Sequence, residues 1–172
     1  MSMRAEKLVA ISQFLSAFPK LFDYVHDRKE NITVGAGKFV ELLKYEDVRG
    51  LLLDATLQTT TDEMVIHFTI DTISFEVVPK ELWRMGLGKE ERRNFRIIRY
   101  DPDYKIFIGG FYPDPPYPIT ESIAVSVLNP TTEDAVVSWH IYFLKYTEEL
   151  LTMIDEMMRS EEEEEGEGGG RS

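Results

Sequence analysis

The spacing of apolar positions predicts a helical beginning for the chain. Residues Ala5–Val25 place apolar side chains three and four residues apart, which is the period of an α-helix. Pro19 lies inside this run and predicts a kink or two separate helices. A second helical pattern covers Gly37–Leu57, and Gly50 divides or weakens it. Between these helices, Ile32–Gly35 is predicted to form a short strand.

The middle of the chain alternates apolar and polar residues, and this period of two predicts β-hairpins. Asp71-Thr72 and Asp101-Pro102-Asp103 supply the turn residues of two hairpins. A proline at position 79 opens a short helix between them. The predicted elements are strands Met64–Ile70 and Ile73–Val77, a helix over Lys80–Met85, and strands Phe95–Tyr100, Tyr104–Ile108 and Ser122–Leu128.

The last element is predicted to be one amphipathic helix from Asn129 to Ser160. Asn129 is a favourable N-cap, Pro130 suits the first helical position, and acidic residues follow near the positive end of the helix dipole. A strand over Ala135–Phe143 is the alternative, because this segment is rich in β-branched and aromatic residues. The apolar residues at helical spacing are Val136, Trp139, Phe143, Tyr146, Leu150, Met153 and Met157.

The order of these elements predicts the α+β class. An antiparallel sheet of about five strands would be covered by the N-terminal helices and by the long C-terminal helix. Residues 1–160 are predicted to form a single domain. Residues 161–172 are predicted to be a disordered acidic tail, because six glutamates lie between positions 161 and 167 and cannot form a packed core.

Composition and charge narrow the class of protein. The absence of cysteine excludes disulfides, thiol catalysis and cysteine-ligated metals. No apolar run approaches 18 residues and the N-terminus has no signal-peptide features, so we expect a cytoplasmic protein that does not span a membrane. Three Asn and two Gln beside 31 acidic and 19 basic residues are typical of a thermophile. The net charge of −12 disfavours strong nonspecific DNA binding.

The sequence contains no pattern that predicts catalysis, a metal site or a cofactor. His26, His67 and His140 lie in separate predicted elements and lack the spacing of metal ligands. The segment Gly86–Lys89 lacks the spacing of a phosphate-binding loop and follows a short helix instead of a strand. Acidic residues near strand ends, including Asp54, are interpreted as surface charges. No serine stands in a nucleophile elbow, so the chain is not predicted to be an enzyme.

A basic cluster is the first candidate surface for a partner. Eight Lys and Arg residues lie between positions 80 and 105, and Arg92, Arg93, Arg96 and Arg99 are its candidate binding residues. In a regular strand, Arg96 and Arg99 would point to opposite faces. The cluster could contact phosphates, an acidic partner or the chain's own tail. The alternative is a solvated hairpin edge protected from aggregation by charge.

The segment Phe111–Pro118 is the second candidate surface. Its four prolines predict a stiff, extended loop that displays aromatic rings. Tyr112 and Tyr117 are the candidate partner-binding residues, because a stiff loop loses little entropy on binding. The alternative is a connection that packs back onto its own sheet.

The C-terminal glutamates carry a resemblance to a known class of protein. A compact, cysteine-free chain of thermophile-like composition that ends in Glu161, Glu162, Glu163, Glu164, Glu165 and Glu167 resembles the small accessory subunit of crenarchaeal B-family replicative DNA polymerase holoenzymes. The resemblance lies in size, composition and tail. It implies a non-catalytic subunit that binds the polymerase through its folded domain. The acidic tail would then temper how the polymerase engages DNA, for example during strand displacement.

Two other functions remain open from the sequence. A pocket between the sheet and the C-terminal helix, beneath Trp139, Phe143 and Tyr146, would indicate a small-molecule-binding domain or an uncharacterised enzyme. Alternatively, the apolar arc of the long helix exceeds what one sheet covers and indicates a homo-oligomer.

Overall fold

The fold consists mainly of β-strands. A computed structural model describes residues 20–86 and 94–168, apart from the side chains of residues 158 and 160–168. These residues contain ten strands and two helices. The strands are β1 (Phe22–Val34), β2 (Phe39–Glu46), β3 (Gly50–Thr59), β4 (Val65–Ile70), β5 (Ile73–Val77), β6 (Phe95–Asp101), β7 (Ile106–Phe111), β8 (Tyr117–Ile119), β9 (Ser122–Leu128) and β10 (Ala135–Tyr146). The helices are α1 (Pro79–Arg84) and α2 (Glu148–Gly168).

The strands form two sheets. The six-stranded sheet has the order β1-β10-β3-β7-β6, and β8 also pairs with β3. The four-stranded sheet has the order β2-β9-β4-β5. Neighbouring strands β2 and β9, β4 and β5, and β6 and β7 are antiparallel. Strands that are distant in sequence, such as β1 and β10, lie side by side in the six-stranded sheet.

The core belongs to the compact unit formed by residues 24–144. Alternate residues of each central strand are buried, as the period of two requires. Val137, Trp139, Ile141 and Phe143 of β10 and Val125 of β9 are all buried members of one apolar cluster. Each sheet therefore presents one apolar face to the core.

Residues 20–23 and 145–168 belong to a second compact unit. The backbone N–H of Thr147 donates to the carbonyl of Leu21 at 3.1 Å, and its hydroxyl donates to the carbonyl of Lys20 at 3.0 Å. Thr147 also precedes α2 and its hydroxyl accepts from the backbone N–H of Leu150 at 3.4 Å, as an N-cap residue does. The rings of Phe22 and Tyr146 meet edge-on at 5.6 Å.

The α+β prediction was wrong, because the predicted helix over Asn129–Ser160 is a strand in its first half. Residues 135–146 form β10, as the alternative predicted, and a helix begins only at Glu148. Asn129 is fully buried and caps a loop: its side-chain amide donates to the carbonyls of Val34 and Glu133 at 3.0 and 2.8 Å. Asn129, a residue type that often caps helices, therefore stabilises a turn here through its side-chain hydrogen bonds.

The second predicted helix was also wrong. Residues 37–57 form a turn and most of strands β2 and β3, and the left-handed backbone of Gly37, with φ +65°, lies between β1 and β2. Of the predicted N-terminal helix, residues 20–21 have helical backbone and residues 22–25 belong to β1, whereas residues 5–19 lie outside the described residues. Residues 37–57 carry apolar residues on two faces, so helical spacing fits them by coincidence.

Several predicted elements were confirmed. The two hairpins, the short helix after position 79 and the strand Ser122–Leu128 occur where the sequence placed them, with boundaries that differ by at most three residues. The backbone of residues 161–168 continues helix α2, where the sequence predicted disorder, and residues 169–172 lie outside the described chain. Within the described residues, no helix is long and apolar enough to cross a membrane.

Candidate partner-binding site

The outer face of the six-stranded sheet, opposite the core, carries polar and aromatic side chains that could bind a ligand or a partner. On β3 and β10, residues that alternate with the buried ones point to this face, because successive side chains of a strand lie on opposite sides. Within residues 24–144, this face carries Tyr24, His26 and Arg28 of β1, Asp54, Thr56 and Gln58 of β3, and Ser138, His140 and Tyr142 of β10.

Four rings of β1 and β10, here termed the ring cluster, form a contiguous stack. The ring of His26 lies 4.2 Å from that of Tyr142, at an interplanar angle of 14°. His26 Nε2 and His140 Nδ1 are 3.3 Å apart and share a hydrogen bond. The ring of Tyr24, which is 61% exposed, lies 5.8 Å from Tyr142. The ring cluster therefore offers flat aromatic surface to solvent.

Asp54 lies beside the ring cluster on the neighbouring strand β3. Within residues 20–86 and 94–168, no hydrogen bond or ion pair joins its carboxylate to another residue. Burial raises the pKa of Asp54, and the nearby His140 and His26 oppose this rise. Burial, together with the charge of Asp54, also raises the pKa of Tyr112. A half-buried carboxylate without a hydrogen-bond donor is costly, so this site favours a donor from outside.

A groove of about 360 Å³ continues the outer face next to His140. The backbone N–H of Asn31 donates to the hydroxyl of Ser138 at 3.0 Å on its wall. Glu30 is paired with Arg28, whose Nε lies 3.0 Å from the carboxylate. The lining consists of Glu30, Asn31, Thr56, Gln58, Ile108, Ser138 and His140. Its hydroxyl and amide groups suit the backbone or polar side chains of an extended peptide.

Strand β6 contains a bulge, and the side chains of Arg96 and Arg99 therefore differ in direction from the prediction. Arg96 pairs with Gly110 and Arg99 pairs with Ile108, and the register shifts between positions 97 and 99. Because Ile98 is the extra residue, both arginines lie on the outer face instead of on opposite faces. Arg99 donates to Asp101 at 2.8 Å. The bulge therefore extends the outer face to the edge of the sheet.

Arg96 is held against Tyr112, one of the predicted partner-binding residues. Its guanidinium carbon lies 4.6 Å from the centre of the Tyr112 ring, which is a cation–π contact. The hydroxyl of Thr56 donates to that of Tyr112 at 2.9 Å. Arg96 Nε is buried and has no hydrogen-bond partner. This pair stays on the outer face, so both residues remain candidates for binding.

The other predicted binding residues are distributed differently. Arg92 and Arg93 lie outside the described residues. Tyr117 is half-buried, packs against the core cluster and meets the ring of Phe111 at 5.7 Å. The loop that contains it therefore packs partly onto its own sheet, as the alternative for Phe111–Pro118 proposed.

The interior beneath Trp139 and Phe143 is filled by protein. Trp139 Nε1 donates to Asp27 at 2.8 Å, and the Tyr45 hydroxyl donates to the same carboxylate at 2.9 Å. The rings of Tyr45 and Phe143 meet edge-on at 5.2 Å. This packing counts against a ligand pocket beneath Trp139 and Phe143.

The sequence did not single out the ring cluster. Tyr24 lay in a predicted helix, and both His140 and Tyr142 lay in another, so the pairing of β1 with β10 was not foreseen. The period of two in Ala135–Phe143 was the signal that could have placed them on one face. Within the described chain, no three His, Asp or Glu side chains are arranged to hold a metal ion.

Helix α2 concentrates the negative charge of the protein. Its 21 residues include ten acidic residues and one arginine, a net charge of −9 out of the −12 of the whole chain. Six of these acidic residues, Glu161–Glu165 and Glu167, lie in the C-terminal part of the helix, where the helix dipole disfavours negative charge. The chain matches no protein-family model and no curated protein sequence.

Proposed function

We propose that this protein is a non-catalytic interaction subunit of a DNA replication complex, which binds a DNA polymerase and modulates its engagement with DNA. The acidic helix α2 carries this proposal. Its net charge of −9 lies in one continuous segment of 21 residues. At about 1.5 Å per residue, this segment reaches about 32 Å, which is comparable to ten base pairs of DNA.

A segment of this charge competes with DNA phosphates for the basic groove of a polymerase. The segment carries about one net negative charge per 3.5 Å, roughly half the density of duplex DNA at about one per 1.7 Å, so both are attracted to the same basic surface. The competition weakens with salt, because charges separated by more than a Debye length of about 8 Å are screened at physiological ionic strength. We therefore assign the modulating role to Glu161–Glu165 and Glu167.

The outer face of the six-stranded sheet is the proposed docking surface. It combines exposed rings, an unpaired carboxylate and a polar groove, and tyrosine and arginine, which occur on this face, are enriched at protein interfaces. Arg96 and Tyr112 lie on the same face and extend the surface towards β6. Docking by the outer face and modulation by α2 are then separable activities.

The experiment compares the full-length protein with a full-length variant in which the six glutamates are replaced by glutamine. A crenarchaeal B-family replicative DNA polymerase is the partner, and both binding and strand-displacement synthesis are measured at low and physiological salt. A matched control neutralises six exposed acids elsewhere. The control changes, all outside α2, are Glu41→Gln, Glu81→Gln, Glu121→Gln, Asp47→Asn, Asp103→Asn and Asp114→Asn.

We expect the wild-type protein to bind the polymerase and to reduce strand displacement, and the reduction should be stronger at low salt. The six-glutamate variant should bind similarly but lose most of the reduction, and the control variant should keep it. Failure of the wild-type protein to bind the polymerase would refute the proposed partner. Equal behaviour of the two variants would refute the role of the glutamates.

A further inference from the structure

We infer that the ring cluster and Asp54 form a binding site for an arginine side chain of a protein partner. The four rings of Tyr24, His26, His140 and Tyr142 supply the flat surface, and the Asp54 carboxylate supplies the charge. This inference deepens the proposed docking role and rests on it for the statement that the occupant is a protein.

The carboxylate argues for a cationic occupant. Asp54 makes no hydrogen bond or ion pair within the described chain, and it is half-buried near His26 and His140 of the ring cluster. A guanidinium group would donate two hydrogen bonds to the carboxylate and remove the cost of leaving it unpaired. The electron-rich faces of the tyrosine rings attract the same positive charge.

The same features argue against nucleic acid as the occupant. Exposed aromatic rings do stack with bases, but phosphate groups would be repelled by Asp54 and Glu30 and by the net charge of −12. Two arginines of this face are paired with carboxylates, Arg28 with Glu30 and Arg99 with Asp101, whereas Arg96 lies against the ring of Tyr112. A nucleic acid would therefore find little unpaired positive charge for its backbone beside the ring cluster.

Arginine fits the site better than lysine. The rings of His26 and Tyr142 stack on each other at 14°, and a planar guanidinium can continue such a stack on a ring face that remains free. An ammonium group offers no plane to stack and no paired donors for a carboxylate. The protein already uses this arrangement on the same face, where Arg96 lies 4.6 Å above the ring of Tyr112.

The test uses the full-length protein, labelled with ¹⁵N, and three blocked tripeptides with glycine on both sides of the central residue. The central residue is arginine, lysine or citrulline, which is a neutral analogue of arginine. Amide shifts are followed through millimolar titrations. Saturable shifts confined to β1, β3 and β10 are expected with the arginine peptide, with binding at least about fivefold weaker for lysine and citrulline.

Two variants distinguish specific binding from a general effect of charge. Asp54→Asn should weaken the arginine peptide about tenfold, since one charged hydrogen-bonding partner is lost. Tyr24→Leu removes an exposed ring, leaves the core intact and should weaken binding about threefold. Asp103→Asn, an exposed acid in the turn between β6 and β7, serves as the control and should leave binding unchanged.

Several results would overturn the inference. These are an absence of shifts with the arginine peptide, equal binding of lysine or citrulline, and equal binding by the Asp54→Asn variant with its fold retained. Shifts of the ring cluster caused by an oligothymidylate, with none from arginine, would instead assign the face to single-stranded DNA. Because the probes are free peptides, failure here leaves polymerase binding and its own test intact.

Discussion

Asp71 offers the sharpest test of how the turn between β4 and β5 is held to the start of β9. Its carboxylate accepts hydrogen bonds from the backbone N–H groups of Thr120, Glu121 and Ser122, at 3.1, 2.7 and 3.0 Å, and from the hydroxyl of Thr120 at 2.9 Å. Its own N–H donates to the carbonyl of Ser122 at 2.9 Å. Replacement by asparagine can keep an oxygen at the position of Oδ1, which accepts from all three backbone N–H groups. The Thr120 hydroxyl then loses its acceptor, and the three remaining hydrogen bonds lose their charged acceptor.

The lost bond costs about 1 kcal/mol, and the neutral acceptor weakens the other three bonds by about as much again in total, so Asp71→Asn should lower the free energy of unfolding by about 2 kcal/mol at pH 7. Urea denaturation followed by circular dichroism measures this difference. The control is Asp47→Asn, because Asp47 has nearly the same left-handed backbone, φ +54° against +53° for Asp71. Asp47 is exposed and its side chain makes no hydrogen bond within the described residues, so the control should change stability by less than about 0.5 kcal/mol.

The effect of Asp71 should also depend on pH. Partial burial opposes ionisation, but the hydrogen bonds from Ser122, Thr120 and Glu121 outweigh it and hold the pKa of Asp71 below its ordinary value. A lowered folded-state pKa adds stability above the unfolded pKa of about 3.9, and this stability is lost as pH falls through the folded-state value. The gap between wild type and Asp71→Asn should therefore narrow below about pH 4. A gap near zero at pH 7, or one as large at pH 2 as at pH 7, would refute the reasoning.

Three further predictions concern the interior and the loops. Gly110→Ala should destabilise the protein by about 3 kcal/mol in urea, because the added Cβ would lie 1.9 Å from the carbonyl oxygen of Ala55. Trp139→Phe should cost about 2 kcal/mol by the same measurement, because the Asp27 carboxylate loses a donor. The Tyr100 hydroxyl donates a hydrogen bond to the Asp62 carboxylate, and this bond, together with burial, raises the pKa of Tyr100 to about 12. Stability should therefore fall as pH rises from 10 to 12, and Tyr100→Phe should reduce this fall and remove one late ionisation in the absorbance at 295 nm.

Each of these predictions has a control in the same chain. The Cβ of an alanine at position 37 would meet no atom within 4 Å, but the alanine would have to adopt the left-handed backbone of Gly37. Gly37→Ala should therefore lower the free energy of unfolding by only about 1 kcal/mol. Trp83→Phe alters an exposed indole and should cost less than about 1 kcal/mol. Tyr104→Phe changes a ring that is 76% exposed and should leave the late ionisation in place. Equal effects of a variant and its control would contradict the prediction concerned.

The hairpins could be predicted because their evidence is local. Strands β4 and β5 alternate strictly, and Asp71-Thr72 between them supplies turn residues, so the pattern and the turn agree. Strands β6 and β7 were predicted for the same reason, although the extra residue at Ile98 could not be foreseen. A bulge is set by how a strand twists against its neighbour, and this reversed the predicted direction of Arg99 relative to Arg96.

Strands β3 and β10 were misread because they lie in the middle of the six-stranded sheet. Their outer faces are half-buried, so residues such as Val136 and Tyr142 are apolar or aromatic on the side that should be polar. Such a run fits spacings of three and four as well as alternation. Strand propensity favoured the correct structure, whereas the cap residue Asn129 favoured the wrong one because its side chain stabilises turns as well as helices.

The amino-acid sequence was sufficient for the features that depend on neighbours in the chain: the hairpins, the short helix after position 79 and the acidic charge of the C-terminal segment. The outer face needed the fold, because His26 and His140 are 114 residues apart and meet only when β1 pairs with β10. Asp54 looked like one more surface acid until that pairing placed rings around it. Composition and periodicity act over a few residues, whereas a binding surface is assembled by sheet contacts between distant strands.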